Sequence, residues 1–140
     1  MDHKNDQQKN APKREQLHVE LTEKIIGCGL KVQTTLGPGF DKDIYHNAMI
    51  VEMTNQKLEF ENNWEIKVYY EAVNVGTYKL DFLVQDKVIV TVMAVEDLEA
   101  KYIHQIKAHL AAAGLKVGLI LNFGNSTLDI KRVEPRIFKK

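Results

Sequence analysis

An aspartate and a lysine that share one face of a predicted strand are the side chains best suited to chemistry. Asp81 and Lys79 are two residues apart in YKLDFLV, and alternate residues of a strand point to the same face. Asp81 would hold a divalent ion, and Lys79 would act as a base or contact phosphate. Gln105 and His109 share a helical face, so His109 is a candidate general base or a ligand together with Asp81. A groove histidine with no such role is the alternative.

Composition limits the classes of protein to consider. The 140 residues, 44% apolar and 27% charged, suit one globular domain. Nineteen basic residues balance nineteen acidic ones, so nucleic-acid binding would need a local patch. The longest apolar run, 88–95, is too short to span a bilayer, and we expect no membrane association. One cysteine, Cys28, and a polar N-terminus without an apolar signal segment predict a cytoplasmic protein.

Hydrophobic periodicity predicts the elements that must position these side chains. The polar composition of residues 1–16 predicts a mobile tail before a single domain over residues 17–140. Asp41 is expected to cap the second helix, and Glu96 and Asp97 to open the third. The predicted helices cover about 17–35, 41–56 and 96–113; the predicted strands start at Trp64 and Tyr78, with a turn at 74–76 between them, and continue with 88–95, 117–121 and 128–133. The order ααβββαββ predicts an α/β fold with a mixed sheet flanked by helices.

Several strings, in this order, resemble those of a known family. They are LTEKIIGCGLKVQTTLGPGF, Tyr45, YKLDFLVQDKVIV, Ala94-Val95 followed by Glu96, and GLKVGLILNFG. Together they resemble the GxxExxY family of small PD-(D/E)XK nuclease-like proteins over about residues 21–133. The resemblance implies a restriction-endonuclease-like core.

The resemblance also implies a metal-dependent site that this chain retains only in part. The strand aspartate is matched by Asp81 and the helical glutamine by Gln105. The Glu of GxxExxY falls on Lys42, and the Glu and Lys of the ExK pair fall on Thr91 and Met93. Glu96 is a weak substitute, because its odd offset from Thr91 would place it on the other face of a continuous strand.

The resulting expectation is a non-catalytic binding or scaffold protein with no cofactor, and the analogy of the fold suggests nucleic acid as its ligand. In that case Asp81 is structural and pairs with Lys42 or Lys79. The alternative is a weak nuclease that uses Mg²⁺ or Mn²⁺ at Asp81 with Lys79, Gln105 and an auxiliary His109. Tyr45 is either an auxiliary site residue or, like Trp64, a core or subunit-contact aromatic, and apolar strands make a homodimer possible. The basic residues near the C-terminus are a candidate phosphate contact or a solvated tail: Lys131, Arg132, Arg136, Lys139 and Lys140.

Overall fold

Over residues 17–135, three helices and five strands follow one another in the predicted order ααβββαββ. A computed structural model describes residues 17–135 of the chain. The predicted tail at 1–16, and Arg136, Lys139 and Lys140, lie outside the described residues. The helices are α1 (Val19–Leu36), α2 (Lys42–Asn55) and α3 (Ala100–Ala113). The strands are β1 (Phe60–Tyr70), β2 (Val73–Val84), β3 (Val88–Met93), β4 (Val117–Asn122) and β5 (Asp129–Val133).

The strands form one mixed sheet in the order β1-β2-β3-β4-β5. Neighbours are antiparallel except β3 and β4, which are parallel and are connected through α3. β3 is central, as its nearly continuous apolar sequence VIVTVM indicates, and it is buried except at Thr91. The fold is therefore α/β, with helices packed on a mixed sheet. Over residues 17–135, no helix is both long enough and apolar enough to cross a membrane.

Two apolar clusters cover the two faces of the sheet. The first joins α1 and α2 to the strands and includes Ile25, Met49 and Phe82. The second joins α3 to the other face and includes Ile106 and Leu110. Cys28 lies in the first cluster, as its position on the apolar stripe of α1 predicts. Burial raises the pKa of the Cys28 thiol to about 11, which keeps it protonated at neutral pH.

The predicted turn at 74–76 is wrong, because the chain reverses three residues earlier. Glu71 and Ala72 have positive φ angles of 50° and 66° and form the two-residue turn between β1 and β2. The Asn74–Gly76 segment lies within β2, where a register shift opposite Val68 marks a β-bulge. The side-chain oxygen of Asn74 accepts a hydrogen bond from the Gly76 N–H, a local turn-like contact inside a strand.

Other element bounds also differ from the predictions. α3 begins at Ala100, with Glu99 at the N-cap, so Glu96 and Asp97 do not open it. Asp41 occupies the N-cap position of α2 but makes no capping side-chain hydrogen bond. Strand β1 extends back to Phe60. Strand β2 does not show the alternation of buried and exposed residues that is typical of a half-exposed strand. Residues 73–79 are exposed and residues 80–84 are all buried, because only the second half of the strand lies between the two apolar clusters.

Candidate functional site

A tight turn before α2 determines where its first residues lie. Gly37, with a φ of 69°, ends α1. The Tyr45 hydroxyl donates a hydrogen bond to the Gly37 carbonyl (2.6 Å) and accepts one from the Phe40 N–H (3.2 Å). The Tyr45 ring is fully buried and stacks on Phe123 at 4.7 Å. Tyr45 therefore fixes the turn, and the first turn of α2 carries Lys42 to the sheet.

Asp81 is a buried carboxylate at the point where β2 separates from β3. The two strands pair only at 82–84 with 88–90. Beyond that ladder, Asp81 Oδ2 accepts a hydrogen bond from the Val92 N–H at 2.9 Å. The same oxygen lies 3.2 Å from Lys42 Nζ, and the Asp81 side chain is 8% exposed. The ion pair between Lys42 and Asp81 that the sequence suggested is therefore present, and Asp81 also satisfies a strand N–H.

His46 completes this cluster, although the sequence did not single it out as a site residue. Its Nδ1 lies 2.8 Å from Asp81 Oδ1, and its Nε2 lies 2.6 Å from Asn62 Oδ1. The ring stacks on Phe82 at 4.5 Å. His46 follows Lys42 by four residues, so the two share a face of α2. That spacing was the available signal, because a helix that brings Lys42 to Asp81 also brings His46.

Two neutral side chains stand on β3 where the family resemblance implies Glu and Lys. The Thr91 hydroxyl oxygen is buried and has no hydrogen-bond partner among the described residues. Met93 is 9% exposed and belongs to the apolar cluster beneath α3. Gln105 is exposed on α3 and borders the same hollow as Thr91 and Met93. This part of the site offers a hydroxyl, a thioether and an amide.

Lys79 and His109, two further candidates from the sequence, lie in different parts of the structure. Lys79 is exposed and borders a cleft that also contains Asp81. His109 instead packs against Tyr78, with ring centroids 4.4 Å apart, and is not among the polar partners of Asp81. Burial lowers the pKa of His109, so the neutral imidazole is favoured. The structure therefore does not support His109 as a ligand together with Asp81.

Glu96 lies in the exposed loop after β3. Its backbone carbonyl accepts a hydrogen bond from the Asn125 side-chain amide at 3.0 Å. The neighbouring segment is held by Asn122, whose side chain bonds both the N–H and the carbonyl of Val95 at 2.9 Å. Glu96 therefore belongs to a loop that β4 anchors, and not to the end of a continuous strand.

The polar groups around Asp81 do not fit the hard divalent cation that the family resemblance implies. Both Asp81 oxygens already face nitrogen groups, from His46 on one side and from Lys42 and Val92 on the other. Mg²⁺ sites need oxygen ligands in near-octahedral geometry, whereas an ammonium group is a competing cation. Within residues 17–135, no three His, Cys, Asp or Glu side chains are grouped to hold a metal ion.

Two adjoining hollows share Lys42 as a common wall. The first, called the polar cleft, has a volume of about 420 Å³ and lies between α2 and the β1–β2 hairpin. Its lining is Lys42, Asp43, His46, Asn47, Asn62, Asn63, Lys79, Leu80 and Asp81. The second, called the apolar pocket, has a volume of about 370 Å³ and lies between β3, α3 and the turn before α2. Its lining includes Phe40, Asp41, Lys42, Thr91, Met93, Tyr102, Gln105 and Ile106.

Comparison with known proteins gives a family match and several similar solved structures. Residues 19–133 match the family model described as PD-(D/E)XK nuclease superfamily. The crystal structure of SSO0001 is similar with a TM-score of 0.53 and 12% identity, covering 91% of this chain and 63% of that chain. An alkaline exonuclease (LHK-Exo) from Laribacter hongkongensis gives a TM-score of 0.47 and 10% identity, covering 82% of each chain. No curated protein matches the sequence.

Proposed function

The chain belongs to the PD-(D/E)XK nuclease superfamily, and we propose that it is a non-catalytic member that binds nucleic acid in the polar cleft. Its α/β fold, a mixed five-stranded sheet with three helices, is consistent with the restriction-endonuclease-like core of that superfamily. The observation that carries the proposal is the ion pair between Lys42 and Asp81. It places a cation where hydrolysis would require a metal ion.

The chemistry of phosphodiester hydrolysis explains the weight given to this ion pair. Metal-assisted hydrolysis needs carboxylates that hold the ion and a group that orients the attacking water. Lys42, Thr91 and Met93 supply none of these functions. We further propose, on the sequence resemblance, that the chain belongs to the GxxExxY group and has specialised away from catalysis.

The polar cleft offers direct contacts to a phosphate backbone. Lys42 and Lys79 provide ammonium groups, and three asparagine side chains on the two walls of the cleft provide amides. Lys79 makes no ion pair among the described residues, although Glu65 lies opposite it on β1, and its exposed ammonium group can contact a ligand. Ammonium and amide donors position a backbone without reading its sequence. We therefore expect binding that depends on salt and little on sequence.

The test measures binding and cleavage separately. Fluorescence anisotropy with labelled single- and double-stranded DNA and RNA should show binding that weakens in Lys79→Ala and as salt increases. Lys116→Ala is the matched control, because Lys116 is exposed outside the cleft. The same substrates with Mg²⁺ or Mn²⁺ should remain uncut by the protein and by Asp81→Ala.

Two outcomes would overturn the proposal. Absence of binding to all four nucleic acids would remove nucleic acid as the ligand. Cleavage that disappears in Asp81→Ala would instead establish the alternative, a weak nuclease centred on Asp81 with Lys79 and Gln105.

The buried, protonated Cys28 supports a further part of the proposal, that the protein works in the reducing cytoplasm.

We also propose that two copies associate through β1, which forms one edge of the sheet. In an antiparallel pairing centred on Ile66, the exposed Glu65 of each copy lies opposite Lys67 of the other. Pairings centred on Glu65 or on Lys67 would instead place like charges opposite each other, which is destabilising. Charge complementarity therefore favours the register centred on Ile66 over those centred on its two neighbours.

Sedimentation equilibrium of variants with reversed charges tests this association. Glu65→Lys or Lys67→Glu alone should shift the protein towards monomer, since each places like charges opposite each other. The double variant should restore the dimer. A wild-type mass that stays monomeric across concentrations, or single variants that dimerise like wild type, would contradict the pairing.

A further inference from the structure

We propose that the apolar pocket receives one unstacked base of a single strand whose backbone lies in the polar cleft. This inference rests on the proposed function, because it adds a base-binding site to the backbone-binding cleft. It identifies the ligand more narrowly, as single-stranded nucleic acid with at least one base turned out of the stack.

The first argument is the position of the two hollows. They lie on either side of Lys42, which borders both. A nucleotide has the same two-part character, with a charged phosphate next to a flat, largely apolar base. A phosphate at Lys42 in the polar cleft would have the apolar pocket on the other side of that residue, where the attached base can enter. The volume of about 370 Å³ falls within the range of small-molecule sites.

The second argument is the aromatic lining at the mouth of the apolar pocket. Phe40 is 48% exposed although it is large and apolar. Its ring meets Tyr45 edge to face at 6.2 Å, so the fully buried tyrosine supports it from below. Tyr102 borders the same pocket, and Lys101 Nζ lies 5.3 Å from the centre of the Tyr102 ring. Aromatic faces with a nearby cation are typical platforms for bases of single strands.

The third argument is an unpaired polar atom in the lining. The buried Thr91 hydroxyl oxygen has no hydrogen-bond partner among the described residues, and Thr91 borders the pocket. A buried hydroxyl without a partner is costly. The hydroxyl is shielded from solvent, so a base reaches it only when a neighbouring side chain of the lining moves. The edge of a base carries both donors and acceptors and would then supply the missing bond. The exposed Gln105 amide at the rim can donate and accept in the same way.

Single strands are favoured over duplexes for an energetic reason. A base inside a duplex must be unpaired and unstacked before it can enter a pocket, and this costs a few kcal/mol. A base of a single strand has no base pair to break before it enters the pocket, so more of the stacking energy in the pocket appears as affinity. The inference therefore predicts tighter binding of single-stranded than of double-stranded probes.

The experiment compares an oligothymidine of about 12 nucleotides, a length that covers one such site, with an abasic strand of the same length. Anisotropy with the wild-type protein should show about tenfold weaker binding of the abasic strand, as expected for the loss of base stacking. Phe40→Ala and Tyr102→Ala should weaken binding of oligothymidine by a similar factor and leave the abasic strand unaffected. Tyr69→Ala is the matched control, because Tyr69 is 60% exposed and lines neither the apolar pocket nor the polar cleft.

The outcomes separate this inference from the proposed function. Equal affinity for the two strands, or equal effects of Phe40→Ala and Tyr69→Ala, would overturn the base pocket while backbone binding stands. Failure of both strands to bind would instead remove the proposed function itself. Thermal melts followed by circular dichroism establish that each variant is folded, and both Phe40 and Tyr102 lie outside the two apolar clusters' fully buried residues.

Discussion

The substitution Asp81→Ala tests whether Asp81 is a structural residue. The change removes an 8% exposed carboxylate that accepts a hydrogen bond from the Val92 N–H and lies within contact distance of His46 Nδ1 and Lys42 Nζ. We expect the free energy of unfolding to fall by roughly 2–4 kcal/mol. Most of that loss comes from the buried Val92 N–H, since a buried donor left without a partner costs about 1–3 kcal/mol.

The remaining loss is divided unequally between the other two partners. His46 has an 11% exposed side chain and cannot replace the lost contact with water, so it adds roughly 1 kcal/mol. Lys42 has a 49% exposed side chain, and its ammonium group returns to solvent at little cost. Asp81→Asn keeps one acceptor oxygen for the Val92 N–H, so we expect a smaller loss than with alanine.

Urea denaturation at neutral pH provides the measurement, followed by far-UV circular dichroism and by the fluorescence of Trp64. Trp64 packs against the α3-side apolar cluster and lies opposite Leu80, next to the substituted residue, so its fluorescence reports on folding of this part of the sheet. Lys42→Ala is the control, and we expect it to change the free energy by no more than about 1 kcal/mol. The reasoning would be refuted if Asp81→Ala lost less than Lys42→Ala, because the carboxylate would then not be a structural acceptor.

Three further predictions follow from the described side chains. A Cβ at Gly124 would lie 2.1 Å from the Val95 carbonyl oxygen, so Gly124→Ala should destabilise the protein by about 3 kcal/mol. Gly27 has open space around it, so Gly27→Ala should stabilise α1 by about 0.5–1 kcal/mol in the same urea assay. Burial lowers the pKa of His109 below its ordinary 6.5. The folded protein therefore favours the neutral imidazole, and the free energy of unfolding falls as the pH drops below that value. His109→Gln should reduce the stability that is lost between about pH 7.5 and 5.5. Native Cys28, with its pKa raised to about 11, should react with a thiol reagent only after unfolding, and rapid labelling of folded protein would contradict its burial.

The parts of the fold that sequence patterns predicted are those determined by local periodicity. The apolar run in β3 can only be satisfied at the centre of a sheet, and Gly114 ends α3 because its left-handed φ of 72° suits glycine. The pair between Lys42 and Asp81 was accessible because the resemblance aligned both positions with one site. These features depend either on neighbouring residues or on a known topology.

The features that were missed depend on contacts between distant segments. The contacts of His46 with Asp81 and Asn62 exist only once α2 crosses the β1–β2 hairpin. The hairpin turn uses Glu71 and Ala72 in left-handed conformations, which cost energy for residues with a Cβ. Asn74–Gly76 has better turn residues, so local preference pointed there. The pairing of the two strands overrides that preference.

The β1–β2 hairpin is attached to the sheet along only part of its length. β2 pairs with β3 at 82–84 alone, and residues 73–79 extend beyond that ladder with exposed side chains. Asn62, Asn63 and Lys79 of this hairpin form one wall of the polar cleft, and α2 forms the other. The hairpin therefore projects beyond the β2–β3 ladder, starting near Asp81. Ile66 and Leu80 of the hairpin belong to the α3-side apolar cluster, and Tyr78 packs against His109. Bending the hairpin would therefore change the width of the cleft and shift this packing against α3 at the same time.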